Sequence, residues 1–492
     1  MSKIQVANVT YQYEGSIEPV FKNVSFTIDS NWKLGLIGRN GAGKTTFLNL
    51  LLGRKEYKGS ITKNIECRYF PYEIENKEQI TKKMIERLVP EIEEWKMQKE
   101  LRLLGLEESI LERNFSTLSG GEQIKVMLAS LFAKEEVFLL LDEPTNHLDQ
   151  ESKKIIQNYL TRKKCFILVS HDRDLLDHVV DHILSINRNN IEITKGNFSV
   201  WKENRDRKEQ EELVRNEVLK KDIARLEVAS KNTVGWADKI EKTKKGTRNS
   251  GLRPDRGYIG HQSAKMMKKA KAIENRYQKE IEEKSSLLQD MERKEALIMK
   301  PLDYTKNKLA MIYQLGIQYG ERIVFKNISF DIEKGDRIAI VGKNGSGKSS
   351  ILKLLLGDKI SYTGVCKIES DVKISYVSQN TDYLKGTLRE LVRENGISEG
   401  IFKAMLSKLG ISSMEFEKDI SYYSEGQKKK VLLAKSICES KNLYIWDEPF
   451  NYIDILSRIQ IEEMVLKYRP TMLFVEHDEA FIKQIATKKV IL

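Results

Sequence analysis

GRNGAGKTT at Gly38–Thr46 and GKNGSGKSS at Gly342–Ser350 decide the reading of this chain. Each fits GxxxxGK[ST], a loop whose backbone N–H groups wrap a run of phosphates because its glycines keep side chains out of the way. The flanks strengthen the motif. LGLIG (Leu34–Gly38) and IAIVG (Ile338–Gly342) read as apolar strands entering the loops, and FLNLLLG and ILKLLLG read as helices leaving them. In that setting Gly38, Asn40, Gly41 and Gly43 shape one loop, and Gly342, Asn344, Gly345 and Gly347 the other. Lys44 and Lys348 are placed to reach the β- and γ-phosphates of ATP, and Thr45 and Ser349 to hold Mg²⁺. Thr46 and Ser350 follow in the first helical turn.

Other blocks recur at nearly the same offset. VFKNVSF (Val20–Phe26) returns as VFKNISF (Val324–Phe330), LSGGE as YSEGQ, LLLDEP as YIWDEP, and SHD as EHD. The chain therefore reads as two copies of one α/β domain, residues 1–201 and 301–492, with a small arm inserted in the first at about 72–115. Val137–Leu141 and Leu443–Trp446 are apolar strands ending in acidic pairs, and Phe166–Val169 and Met472–Val475 end before a histidine. Buried parallel strands look like this, with function at their C-terminal ends. Asp142 and Asp447 are predicted to bind Mg²⁺ or its waters, and Glu143 and Glu448 to polarise the attacking water. His171 and His477, at matched positions, are predicted to sense the γ-phosphate.

Composition narrows the class. The 492 residues are 40% hydrophobic and 31% charged, without the run of about 20 apolar residues that a membrane span needs. The opening MSKIQVANVT lacks the apolar core of a secretory signal, so a cytoplasmic location is expected. Four scattered cysteines (67, 165, 366 and 438) form no CxxC pattern and are expected to be reduced thiols. The net charge of +12 implies an anionic partner.

Between the copies, residues 202–300 contain one proline, Pro254. Leu219, Ile223 and Leu226 recur at helical spacing, as do Met266, Ala270, Ile273, Tyr277 and Ile281. Two helices of ~35–40 residues, each ~55 Å long, are predicted to form an antiparallel hairpin. Its tip falls in RNSGLRPDRG (Arg248–Gly257). From Lys231 to Lys271 twelve cations face three anions, a net +9. One-sign clustering beside Trp236 and Tyr258 predicts RNA contact through phosphates and stacked bases. The candidate contacts are Lys242, Lys244, Lys245, Arg248, Arg253, Arg256, Tyr258, Lys265, Lys268 and Lys269.

LSGGEQ (Leu118–Gln123), ahead of the Asp–Glu pair, resembles the signature of ATP-binding cassette proteins. The resemblance implies two cassettes packed head to tail, with each ATP between one phosphate loop and the opposite signature. Site one would use Gly38–Thr45, Asp142, Glu143 and His171, with Ser424 and Gly426 across the interface. Site two would use Gly342–Ser349, Asp447, Glu448 and His477, with Ser119, Gly120 and Gly121 opposite. Tyr13 and Tyr319 match the family's adenine-stacking aromatic, and Gln379 in YVSQ its Mg²⁺-side glutamine. Two departures fall on site one: Glu425 replaces the first glycine of the second signature, and Tyr72 stands where the first copy should have its glutamine. Asymmetric sites are therefore expected, with site one the slower.

Two cassettes joined by a long basic hairpin resemble the ABC-F proteins, cytoplasmic factors that bind ribosomes. Asp255–Ile273 (DRGYIGHQSAKMMKKAKAI), Gly196–Ser199 (GNFS) and YIWDEP are similar to the Lsa-type antibiotic-resistance group within them. That resemblance implies a monomer that closes on ATP and Mg²⁺, enters the ribosomal E site and contacts large-subunit rRNA and P-site tRNA. It implies protection from lincosamides, pleuromutilins and streptogramin A, with neither membrane nor DNA as partner. Three readings stay open: a ribosome-protecting ATPase, a housekeeping ABC-F factor that tunes elongation, and the ATPase subunit of a membrane transporter, which gives the +9 linker no task.

Overall fold

The computed structural model describes residues 3–15, 19–90, 93–146, 148–187, 191–243, 296–320, 322–343 and 345–492, together with 261, 264, 265, 267–269, 271–273 and 275–280. Each half is built on a parallel sheet whose central strands are apolar on both faces. In the first half the strands run Glu66–Phe70, Val137–Asp142, Phe166–Val169, Lys33–Gly38, His182–Ile186 and Ile191–Lys195, only the last pair being antiparallel. The second half repeats this with Ile374–Val377, Leu443–Asp447, Met472–Val475, Arg337–Val341 and Lys488–Ile491. Burial on both faces explains why VFLLLD and LYIWD read as unbroken apolar runs. A three-stranded antiparallel sheet lies beside each parallel one, Phe21–Asp29, Lys3–Tyr11 and Lys58–Lys63 in the first half.

Parallel register brings the chemistry to one edge. Asp142 pairs with Val169, one residue before the Ser170–His171 turn, and Asp447 pairs with Val475. The phosphate-loop strands lie next to these, Leu36 opposite Val169 and Ile340 opposite Val475.

The arm predicted at about 72–115 holds two helices, Thr81–Leu88 and Glu94–Leu103. The second half has the counterparts Leu388–Glu394 and Glu399–Lys408, so the arm is a feature of both halves and not an insertion in one. Leu297 and Met299 are buried in the core of the second half, which therefore begins a few residues before 301.

Residues 202–293 form a separate unit. Its first helix is longer than predicted, Phe198–Thr243, because it starts inside the first half, where Phe198 and Trp201 are buried. Its 46 residues give ~69 Å of helix. The described positions from 264 to 280 are also helical, with an Arg276–Glu280 pair at helical spacing. The predicted tip, with Lys244, Lys245, Arg248, Arg253, Arg256 and Tyr258, lies outside the described residues, as does Asn344. Lys242 is on the first helix, and Lys265, Lys268 and Lys269 are exposed on the second.

Candidate functional site

The two phosphate loops fold alike. Gly43 and Gly347 cap the following helices with φ 97°, and a Cβ on Gly43 would lie 2.6 Å from Val20 Cγ1 and 2.9 Å from Phe21 Cζ. The sequence demands glycine there for conformation and for room. Neither helix has a side-chain cap or an acidic residue in its first turn, so its leading N–H groups and dipole are left to an anion. Lys44 Nζ donates to Gly38 O at 2.8 Å and Lys348 Nζ to Gly342 O at 2.9 Å, which folds both ammonium groups over their loops. Thr45 Oγ1 donates to Asp142 Oδ2 and Ser349 Oγ to Asp447 Oδ1, each at 3.2 Å. A hydroxyl and a carboxylate thus converge in both halves, the oxygen pair that suits Mg²⁺ beside a triphosphate.

The predicted water-polarising residues carry strained backbone. Glu143 has φ 51° and Glu448 φ 46°, both in the left-handed region that glutamate avoids. Their N–H groups donate to Val169 O at 2.9 Å and Val475 O at 3.0 Å, which holds the carboxylates off the strand ends toward the histidines. Such strain, of about 1–3 kcal/mol, persists where the surroundings over-determine it and marks functional positions. His171 Nε2 lies 3.4 Å from Glu143 Oε1, and His477 Nε2 3.4 Å from Glu448 Oε1.

From there the halves diverge. Glu448 is well held: Gln379 Nε2 donates to its Oε2 at 2.8 Å and Asn451 Nδ2 at 2.7 Å. Burial raises its pKa, but His477, Asn451 and Lys348 outweigh burial and bring it below the ordinary carboxylate value. Glu143 receives one long bond, from His171 N at 3.4 Å, and its Oε1 is buried without a hydrogen-bond partner. Burial, reinforced by Asp142, pushes its carboxyl up to about 8.

The two departures behave differently from each other. Tyr72 turns inward, its OH 2.8 Å from Ser130 Oγ, and packs against the apolar core, so site one has no ligand at the glutamine position. Glu425 does not face site one. Thr381 Oγ1 donates to its Oε2 and Lys428 Nζ lies 3.3 Å from its Oε1. Its charge is engaged within its own half.

Residues of both halves assigned to site one lie around a common cavity. This cavity of about 430 Å³ is lined by Tyr13, Lys44, Thr45, Glu143 and His171 from one half and Ser424, Gly426 and Tyr452 from the other. Asn40 Nδ2 donates to Tyr452 O at 2.7 Å across the interface. Gly426 is essential to this approach, since a Cβ there would sit 2.7 Å from Tyr452 O. A second cavity, about 680 Å³, holds Tyr319, Lys348, Ser349, Gln379, Glu448 and His477 of site two and also reaches Glu143 and His171 of site one. Ser119, Gly120 and Gly121 do not line that cavity directly, but a Cβ on Gly121 would lie 3.5 Å from Leu148, which does, and the nearby Glu151 lies 3.9 Å from Lys343 of the second loop. They start the helix Gly120–Phe132, Ser119 capping it with Glu122, and a Cβ on Gly120 would meet nothing within 4 Å. The tyrosines expected to stack adenine are anchored by their hydroxyls, Tyr13 to Thr46 Oγ1 at 2.6 Å and Tyr319 to Ser350 Oγ at 3.1 Å.

The two sides of the interface carry unequal contacts. Ile455, Leu456 and Ile459, on the helix Ile455–Tyr468, join the core of the first half. Arg173 makes a bidentate ion pair with Glu462, one bond being 2.8 Å, with both side chains buried. Arg458 donates to His171 O at 3.0 Å and to Phe450 O at 2.9 Å. On the pseudo-symmetric side Glu479 stands where Arg173 would be, and its contacts are Gln150 Nε2 at 3.2 Å and Lys154 Nζ at 3.5 Å. Breaking a buried pair costs roughly 3–5 kcal/mol, against about 0–1 for an exposed one, so the interface is tighter on the site-one side.

Sequence reasoning missed Asn451, Tyr452 and Arg458. Asn146 and Asn451 do recur at matched positions in DEPTN and DEPFN, which was a usable signal. Tyr452 acts through its carbonyl, and no sequence pattern reports that.

The fold and these sites define a class: a P-loop ATPase with two nucleotide sites across one cassette–cassette interface. A family profile described as ABC transporter matches residues 21–146 and 325–451, just over half of the chain. The chain belongs to the ABC transporter family, and it is an ATPase. It is 28% identical over 503 residues to ribosome protection protein VmlR of Bacillus subtilis, covering 99% of this chain and 86% of that protein. It is 27% identical over 521 residues to energy-dependent translational throttle protein EttA of Escherichia coli K12, covering 95% and 88%. These relatives are ABC-F proteins, the group whose resemblance the sequence carries. The crystal structure of archaeal ribosome recycling factor aABCE1, in complex with ribosomal stalk protein aP1, matches 98% of this chain and 87% of its own with a TM-score of 0.62 at 19% identity, a likeness of fold. Among the described residues no helix is long and apolar enough to cross a membrane.

Proposed function

We propose that this ATPase binds ribosomes in the cytoplasm and protects them from antibiotics of the peptidyl-transferase centre, namely lincosamides, pleuromutilins and streptogramin A. The observation that carries the reading is the linker: a net +9 between Lys231 and Lys271, set between two ATP sites. Such a cluster is the electrostatic footprint of RNA binding. The likeness to VmlR over 99% of the chain supports protection as its purpose. The likeness to EttA favours a second reading, a factor that tunes elongation without any drug.

In the first reading ATP binding draws the cassettes together, and the closed monomer enters the E site. There the basic hairpin displaces P-site tRNA and reshapes nearby rRNA, so the drug leaves. Thr45 with Asp142, and Ser349 with Asp447 and Gln379, would hold Mg²⁺, which neutralises phosphate charge when bound. Lys44 and Lys348 meet the phosphates. Glu448 accepts a proton from the attacking water as its oxygen bonds to the γ-phosphorus and the bond to ADP breaks. His477 steadies that carboxylate, and Glu143 with His171 serves the other site. Hydrolysis reopens the cassettes and releases the protein.

Changing Glu143 and Glu448 together to glutamine should trap the closed form. In ATP the double variant is expected to pellet with ribosomes at least about tenfold more completely than wild type, the slowed proton transfer prolonging the bound state. Equal pelleting would refute the cycle.

A further inference from the structure

Lys429 is fully buried on the helix Glu425–Cys438, behind the second signature. A buried ammonium has three donors to satisfy. Lys429 Nζ gives them to Ser378 O at 2.7 Å, Gln379 O at 3.3 Å and Asp447 O at 3.2 Å. Ser378 and Gln379 follow the strand Ile374–Val377, while Asp447 ends the adjacent strand. One side chain therefore ties the glutamine loop to the acidic pair, and Gln379 sets its amide 2.8 Å from Glu448 Oε2.

The first half lacks both parts together. Counting from the signature serines, Ile124 occupies the position of Lys429, and counting from the strand ends Phe70 and Val377, Tyr72 occupies the position of Gln379. Both Ile124 and Tyr72 pack against the apolar core. Where the glutamine is present a lysine holds its backbone, and where it is absent an apolar side chain fills the space.

We propose that Lys429 is a positioning residue for hydrolysis at site two, holding Gln379 against Glu448. This rests on the reading of Glu448 as that site's proton acceptor. The helix bearing Lys429 also presents Ser424 and Gly426 to site one, so a purely structural role would harm both sites alike.

Lys429→Met keeps the length of the side chain without its donors, and is assayed for ATP hydrolysis in two backgrounds. Glu143→Gln leaves turnover to site two, and Glu448→Gln leaves the residual turnover of site one. The expected result is a fall in kcat of about 10–30-fold in the Glu143→Gln background, with KM for ATP within about threefold, and a change below about twofold in the other. Gln379→Ala should cost as much, and combining it with Lys429→Met should cost no more than Gln379→Ala alone, because residues acting as one unit are not additive. Equal losses in both backgrounds, additive losses, or an unchanged kcat in the Glu143→Gln background would overturn the proposal. Should Lys429→Met fail to fold, Lys429→Gln, which keeps an amide donor, carries the same comparisons. If Glu448→Gln by itself leaves hydrolysis intact, the reading of Glu448 fails first, and that outcome is read from the background alone.

Discussion

Glu448→Gln is expected to lower steady-state ATP hydrolysis about 100-fold, and Glu143→Gln by less than about tenfold. A positioned general base is worth roughly 10²–10⁴ in rate when its geometry and ionisation suit the task. Glu448 meets the geometric condition and is ionised. It is held by Gln379, Asn451 and His477, and its carboxyl lies below the ordinary value. Glu143 has the equivalent histidine contact at 3.4 Å, but its Oε1 has no hydrogen bond, its carboxyl is pushed up to about 8, and no glutamine lies beside it because Tyr72 faces the core. Site one is also the tighter side of the interface, clasped by Arg173–Glu462 and Arg458. A site that closes firmly around a poorly prepared base suits retention of nucleotide, while the well-held carboxylate of site two suits turnover. Measured kcat values for the two single variants decide the matter, and equal losses would mean that the asymmetry is not catalytic.

Replacing Lys265, Lys268 and Lys269 by glutamine should weaken ribosome binding in ATP at low salt and flatten its salt dependence. Each phosphate contact on RNA contributes about 0.7–0.9 to the slope of log K against log salt. Three lost contacts therefore reduce that slope by about 2–3, with hydrolysis in the absence of ribosomes unchanged. All three lysines are exposed on the second linker helix, as a phosphate contact requires. Filter-binding titrations across a salt series check this, and an unaltered slope would place the RNA contacts elsewhere.

Much of the fold was legible because its evidence is periodic and doubled. The repeated glycine loops, acidic strand ends and histidines located both sheets and their functional edge, since buried strands and tight loops constrain residue type strongly. The side-chain directions were not legible. Glu425 reads only as a replacement for a signature glycine, and its engagement by Thr381 and Lys428 is not in the sequence. Tyr72 reads as a poor ligand, yet it leaves the site altogether for Ser130. Both outcomes depend on neighbours far away in sequence. The unequal interface was hidden for the same reason: Glu479 stands where Arg173 would be, a difference that matters only once the halves are packed. The length of the first linker helix was underestimated because its start, Phe198–Trp201, belongs to the core of the first cassette.

The measurement that tests ribosome protection most directly is cell-free translation with purified ribosomes, drug, ATP and the purified protein. Lincosamide, pleuromutilin and streptogramin A are each titrated with and without it. Translation is expected to be restored in this membrane-free system, and the Glu143→Gln, Glu448→Gln double variant is expected to fail to sustain it. Absence of rescue, with ATP-dependent ribosome binding intact, would contradict protection and leave the elongation factor as the function.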